Sequence, residues 1–330
     1  MKLLIATLIS TFSFATNSFV DEVDTYFQSN ELTKVRNQSE FQIDKCHPQL
    51  ENQNTFGETL LYFINELTTK KSTFLHISSI YKMPSKMEDQ EQVGLLSHPL
   101  CSVTKESLSK TIKNMPDEMT IELANRFARE HNLLRKQENY EELKLLWGKF
   151  FGCLAYTESL TTADLSSSEK LAKKYAPRNY KRPQGVKFYY DKWQPKVSRL
   201  NIGLYQFTPN YGGNIKPCVD SWNHYYSNES CQIKNKKKDA LINAFGSTAQ
   251  HFNAYCGVHK VIEAFSVQLN TSEKRFTHPN NQEGGKLKGA SERCVTPHFY
   301  AGWSYNHFGP LQNSTKNNLR KLMSCLYPNS

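Results

Sequence analysis

The sequence predicts a mainly α fold that carries one small β-hairpin, and three observations predict it. Apolar residues recur at steps of three and four from Tyr140 to about Thr157. Two segments rich in Tyr, Phe and β-branched residues, 186–193 and 198–207, are separated by Gln194-Pro195. After Thr208 the pattern turns helical again, most clearly over 239–255 and 257–267.

In chain order, the first fifteen residues read as a secretory signal. Lys2 gives a positive start, residues 3–14 form an apolar run interrupted only by Thr and Ser, and Ser13-Phe14-Ala15 offers small residues for cleavage after Ala15. The run is too short for a membrane span, and no later stretch approaches the roughly 20 apolar residues that a span requires. A secreted or periplasmic protein is therefore expected. Residues 16–117 are polar, with short helical pieces such as 58–67, and are set apart as a helical N-terminal extension without a readable role. The domain that carries the chemistry is expected over 118–330.

That domain opens at Pro116-Asp117-Glu118, a helix start with acidic residues in the first turn. In the helix that begins at Tyr140, Leu143, Leu146, Trp147, Phe150, Phe151 and Leu154 mark one buried face. Residues 161–182, with their Ser-Ser-Ser run, read as loop plus short helix.

The composition bounds the partners. Aromatic residues make up 12% of the chain and the formal charge is +10, which falls to +9 when Lys2 leaves with the signal. A basic surface favours polyanions, and for an exported chain a wall polymer is expected ahead of nucleic acid. The surplus of rings suits a groove that stacks on sugars. Eight cysteines in an oxidising compartment point to disulfides, with Cys218 and Cys231 the natural local pair across a turn-rich segment. Cys256-x-x-His259 is one half of a zinc ligand set without a second half at matching spacing, so neither metal nor cofactor is expected.

Glu158 follows Leu154 by four residues and so continues the buried face at the helix C-terminus. Apolar surroundings and the partial negative charge of a helix C-terminus both disfavour ionisation, and a carboxyl held protonated near neutral pH can act as a general acid. The alternative is that the helix ends a turn earlier and Glu158 is simply solvated.

Three short signatures then stand in order: Ala155-Tyr156-Thr157-Glu158-Ser159, Gly203-Leu204-Tyr205-Gln206, and Phe252-Asn253-Ala254-Tyr255 running on to Val261. They resemble the Glu-Ser, Gly-Leu-Met-Gln and Tyr-Asn-Ala-Gly segments of the lysozyme-like superfamily, particularly its lytic transglycosylase and goose-type lysozyme branches. Tyr205 replaces the Met, and the pattern around Asn253 is shifted. The chain also resembles the lysozymes of predatory bacteria that prefer deacetylated peptidoglycan. The resemblance covers about 143–267 and implies a lysozyme-like α+β domain, monomeric, that cuts peptidoglycan glycan strands at the muramic acid to glucosamine linkage.

On this resemblance Glu158 is the proton donor, and Ser159, Gly203, Tyr205, Gln206, Asn253, Tyr255 and Tyr305 are candidate substrate-binding residues. Ser159 would orient a carboxyl or simply follow the helix cap. Gly203 would let backbone approach a sugar, and Gln206 would donate to and accept from its polar groups. Tyr255 would stack on a sugar, bond Glu158 or pack in the core. Tyr305, in the ring-rich run 298–310, would supply a groove wall or the true third motif. A second carboxylate would come from Asp164 or Asp191; without one, transglycosylation with anhydro-muramyl ends is favoured. The rival functions are a carbohydrate binder on the same fold and a thiol hydrolase built on Cys256 and His259.

Overall fold

A computed structural model describes residues 56–69, 95–97, 99–102, 117–155, 157–158, 165–178, 180, 187–192, 196–212, 215–226, 232–246, 250–270 and 318–328. The signal segment, Ser159, Asp164 and Tyr305 lie outside them. The described chain is mainly helical with a two-stranded antiparallel sheet. Its helices are α1 (Phe56–Thr68), α2 (Glu118–Lys136), α3 (Tyr140–Ala155), α4 (Leu165–Tyr175), α5 (Lys216–Tyr225), α6 (Lys238–Gly246), α7 (Gln250–Asn270) and α8 (Asn318–Leu326). The strands are β1 (Phe188–Tyr190) and β2 (Leu200–Ile202), with Phe188 opposite Ile202 and Tyr190 opposite Leu200.

Local chemistry explains where the elements start. Asp117 caps α2 by accepting from the Thr120 backbone N–H at 2.8 Å, as an acidic N-cap should. Along α2, Thr120, Leu123, Ala124, Phe127, Ala128 and His131 are buried, one stripe at helical spacing. From Trp147 to Ala155, α3 has only Lys149 incompletely buried, so this helix is central. Trp147 packs edge-on to Phe127 at 5.2 Å and to Phe150 at 5.1 Å, and its indole N–H donates to Nδ1 of His131 at 3.2 Å. A buried polar ring therefore has its partner, and His131 serves the core.

Three readings of the sequence change here. First, α1 lies in the stretch set apart as an extension, yet it packs against both α3 and α7, and its Phe63 meets Trp222 and Tyr255. The core therefore includes residues on both sides of position 117. Second, the break expected at Cys256-Gly257 does not occur: α6 ends at Gly246 and α7 runs through Gly257. Third, Cys218 pairs with Cys256 instead of Cys231, because α5 and α7 pack with these Cα atoms 5.4 Å apart. A second disulfide, Cys153–Cys325, ties α3 to α8, and Cys101 is disulfide-bonded as well. Cys256 is thereby removed as a thiol nucleophile or zinc ligand. No helix among the described residues is long and apolar enough to cross a membrane.

Candidate active site

Helix α3 delivers Glu158. After Ala155 the chain reaches a wider π-type turn at Thr157 and Glu158. Such turns recur at functional sites because they swing a side chain off the regular helical path. Glu158 is half-buried, with its Oε1 shielded from solvent.

The segment Gly203–Gln206 is a closed turn at the end of β2. Ile202 bridges back to Phe207, its N–H donating to the Phe207 carbonyl at 2.9 Å. Closure requires left-handed backbone at both ends of the turn: Gly203 has φ +83° and Gln206 has φ +52°. For Gly203 this is free of a Cβ penalty, while for Gln206 it is a strained conformation that neighbours must hold. Its amide does so, with Nε2 donating to the Gly203 carbonyl at 2.9 Å and the Lys187 carbonyl at 3.3 Å. Both amide hydrogens are then engaged, and Oε1, buried and without a hydrogen-bond partner among the described residues, is left to accept.

The third signature and helix α3 pack onto this turn. A Cβ on Gly203 would sit 2.5 Å from Oδ1 of Asn253 and 2.7 Å from the Phe245 carbonyl, so only glycine allows α7 so close. Asn253 donates through Nδ2 to that same carbonyl at 3.0 Å. Tyr205 lies against Gly257 of α7, and its hydroxyl donates to the Phe151 carbonyl of α3 at 3.0 Å. Tyr205, Asn253 and Tyr255 are fully buried. They hold elements together instead of facing a sugar. Tyr255 packs on Phe63 and Trp222, which is the core role among the readings open to it.

Lys187 is the residue that sequence reasoning missed. It is 4% exposed, at the head of β1, and its carbonyl accepts from the Gly203 N–H at 3.2 Å as well as from Gln206. Burial pushes its ammonium down to about 8, opposed by the charge of Glu158 and assisted by Lys321 of α8. Glu158 is thus among the charges that bear on Lys187, so its surroundings are not purely apolar, as expected from sequence. Strand alternation hid it, since a lysine in a short strand reads as solvent-facing.

Other titratable groups sort away from this centre. Asp191 follows β1, and its N–H donates to the Arg199 carbonyl at 2.8 Å. His259 is fully buried, and burial, aided by Lys260, brings its imidazole down to about 3, so it stays neutral. Glu66 of α1 is a carboxyl raised by burial. Its charge in turn helps raise the hydroxyls of Tyr62, Tyr225 and Tyr226. A cavity of about 550 Å³ opens beside α4, lined by Glu169, Lys173, Arg178 and Tyr180 among others, and Glu158 is not in its wall. Comparison with known protein families, curated proteins and solved structures finds no match to this chain.

Proposed function

We propose that the protein is a peptidoglycan-cleaving glycosidase of the lysozyme-like kind, with Glu158 as general acid. One observation supports this above the rest. Two signatures some fifty residues apart in sequence meet through Gly203 against Asn253 and Tyr205 against Gly257, and the Tyr205 hydroxyl reaches the Phe151 carbonyl of α3, the helix that leads to Glu158. A turn strained at Gln206 and braced on a buried lysine is costly to keep for packing alone.

In this reading Glu158 gives its proton to the glycosidic oxygen as the bond breaks. The substrate is the muramic acid to glucosamine linkage, and anhydro-muramyl ends are favoured because the Gly203–Gln206 motif resembles that of transglycosylases more than that of two-carboxylate hydrolases. Hydrolysis by two carboxylates on opposite faces requires a separation of roughly 6.5–9.5 Å.

Mass spectrometry of muropeptides released from native and deacetylated sacculi tests the reading. Anhydro ends, abolished in Glu158→Gln with a loss of at least about 100-fold and retained in Asp191→Asn, are expected. Reducing muramyl ends together with an inactive Asp164→Asn or Asp191→Asn would make it a two-carboxylate hydrolase. Near-normal turnover in Glu158→Gln would remove Glu158 from the chemistry.

A further inference from the structure

We propose that the protein carries a second ligand surface, a strip of lysines ordered on tyrosine rings that binds a linear anionic glycan. The strip is built by the end of α4, the starts of α5 and α6 and the chain just ahead of α6. It does not include Glu158 and stands whether or not Glu158 is a proton donor.

Two tyrosines are its nodes. Tyr175, the last residue of α4, stacks on Tyr190 of β1 with ring centroids 5.5 Å apart and planes 10° apart. Two ammoniums lie over the Tyr175 ring, Lys174 at 5.3 Å from its centroid and Lys238, the first residue of α6, at 5.0 Å. Tyr211 repeats the arrangement, with Lys236 at 4.1 Å and Lys216 of α5 at 5.3 Å. The Tyr211 hydroxyl donates to Asp220 and accepts from Lys236 at 2.6 Å, while Lys216 donates to the other oxygen of that carboxylate. Lys236 and Lys238 are two residues apart, so one short stretch of chain joins the nodes.

The charges do not cancel. Asp220 is a single carboxylate facing two ammoniums, the second of them Lys236 at 3.6 Å. Among the described residues, Lys174, Lys237 and Lys238 have no carboxylate partner. Residues 234–239 are all exposed, and four of these six are lysine. An exposed lysine ordinarily loses side-chain freedom when it grips an anion, which weakens the grip. Here ring contacts already fix where four ammoniums stand, so less freedom is lost when the anion arrives. An exposed row of cations suits a polymer of repeated charge better than one small anion. The ring faces are taken up by Tyr190 and the lysines, which leaves no platform for the base stacking that single-stranded nucleic acid uses. An anionic glycan needs only its acid groups to meet the lysines.

The test measures binding of the full chain to fluorescent polygalacturonate and dextran phosphate, with neutral dextran and a thymidine oligonucleotide alongside. Binding to one or both acidic glycans, weakened by salt, is expected, and the glycan that binds names the acid group. Lys174→Gln with Lys238→Gln should weaken it by about ten-fold or more. The same loss of charge from α2, Arg129→Gln with Lys136→Gln, should change it by less than about two-fold, because distant exposed charges are screened. All four residues are exposed, so these variants keep the fold, which thermal unfolding verifies. Equal losses from the two pairs would mean that only net charge counts, and would overturn the proposal. Binding to neither acidic glycan, or tighter binding to the oligonucleotide than to both, would overturn it as well. Tyr175→Leu should also weaken binding while Tyr175→Phe keeps it; an affinity untouched by leucine would leave the lysines as loose surface charge and overturn the role of the rings.

Discussion

Glu66 carries a carboxyl into half-buried surroundings shared with Tyr62 and Tyr225, and burial raises it above the ordinary glutamate range. A raised acid contributes its full stability below the unfolded midpoint, and that contribution is lost as pH rises through the folded midpoint. At neutral pH the folded protein therefore bears the cost of an ionised, partly desolvated carboxylate. Replacing it by the isosteric amide should raise the melting temperature at about pH 7 and leave it nearly unchanged at about pH 4, the gain staying below about 1 kcal/mol because half the group is screened by solvent. Thermal unfolding at the two pH values checks this; an equal gain at both would mean that Glu66 does not titrate through the folding equilibrium. The same scale shows what could be read from the chain alone. The four-residue step from Leu154 is a local, helical relation that singles out Glu158 in the sequence, although α3 ends at Ala155 and Glu158 lies in the π-type turn beyond it. Lys187 was not legible, because the turn that packs on it is closed by residues well along the sequence.

Helices and hairpin were mostly legible for the same reason: their periods and caps are local. The N-cap at Asp117, the buried face of α3 and the antiparallel pairing of β1 with β2 follow from residues within one element or one turn. The misplaced break at Gly257 is instructive, because glycine signals an end only when nothing else requires it. Here the Tyr205 ring occupies the space of the missing side chain, with ring carbons 2.5–2.7 Å from where a Cβ would lie. That ring cannot retreat, since its hydroxyl is held by the Phe151 carbonyl. Gly257→Ala should therefore destabilise the fold by about 1–3 kcal/mol, the usual range for overpacking, although alanine is the better helix former. Combining it with Tyr205→Leu should recover part of the loss, giving a coupling energy readable from urea denaturation of the four cycle members. Strictly additive losses would show that the contact does not decide why glycine is there.

At the scale of the molecule, sequence could not supply the disulfide pairing, because spacing does not specify connectivity. Cys218 and Cys231 are near in the chain, but the packing of α5 on α7 selects Cys256. The longer tie, Cys153–Cys325, spans a sequence separation of 172 and joins the helix that leads to Glu158 with α8. Closing so long a loop removes much freedom from the unfolded chain, worth about 5 kcal/mol in the chain-entropy model, against about 4 kcal/mol for the 38-residue separation of Cys218–Cys256. Contacts of α8 with α2 and α3, including the Tyr327 hydroxyl on Glu130 at 2.7 Å, would retain part of its docking after the bond is lost. The double change Cys153→Ala with Cys325→Ala should consequently lower stability by up to about 5 kcal/mol yet leave a folded protein at low temperature. Its effect should also reach the site. Burial depresses Lys187 and the like charge of Lys321 on α8 adds to it, so a loosened α8 should let the Lys187 midpoint rise towards the normal lysine range. Urea denaturation reads the first effect, and titration of Lys187 in protein with lysine labelled at ¹³Cε reads the second. Loss of stability with an unmoved Lys187 would mean that α8 stays seated by its packing alone, and that the disulfide guards the fold without touching Lys187.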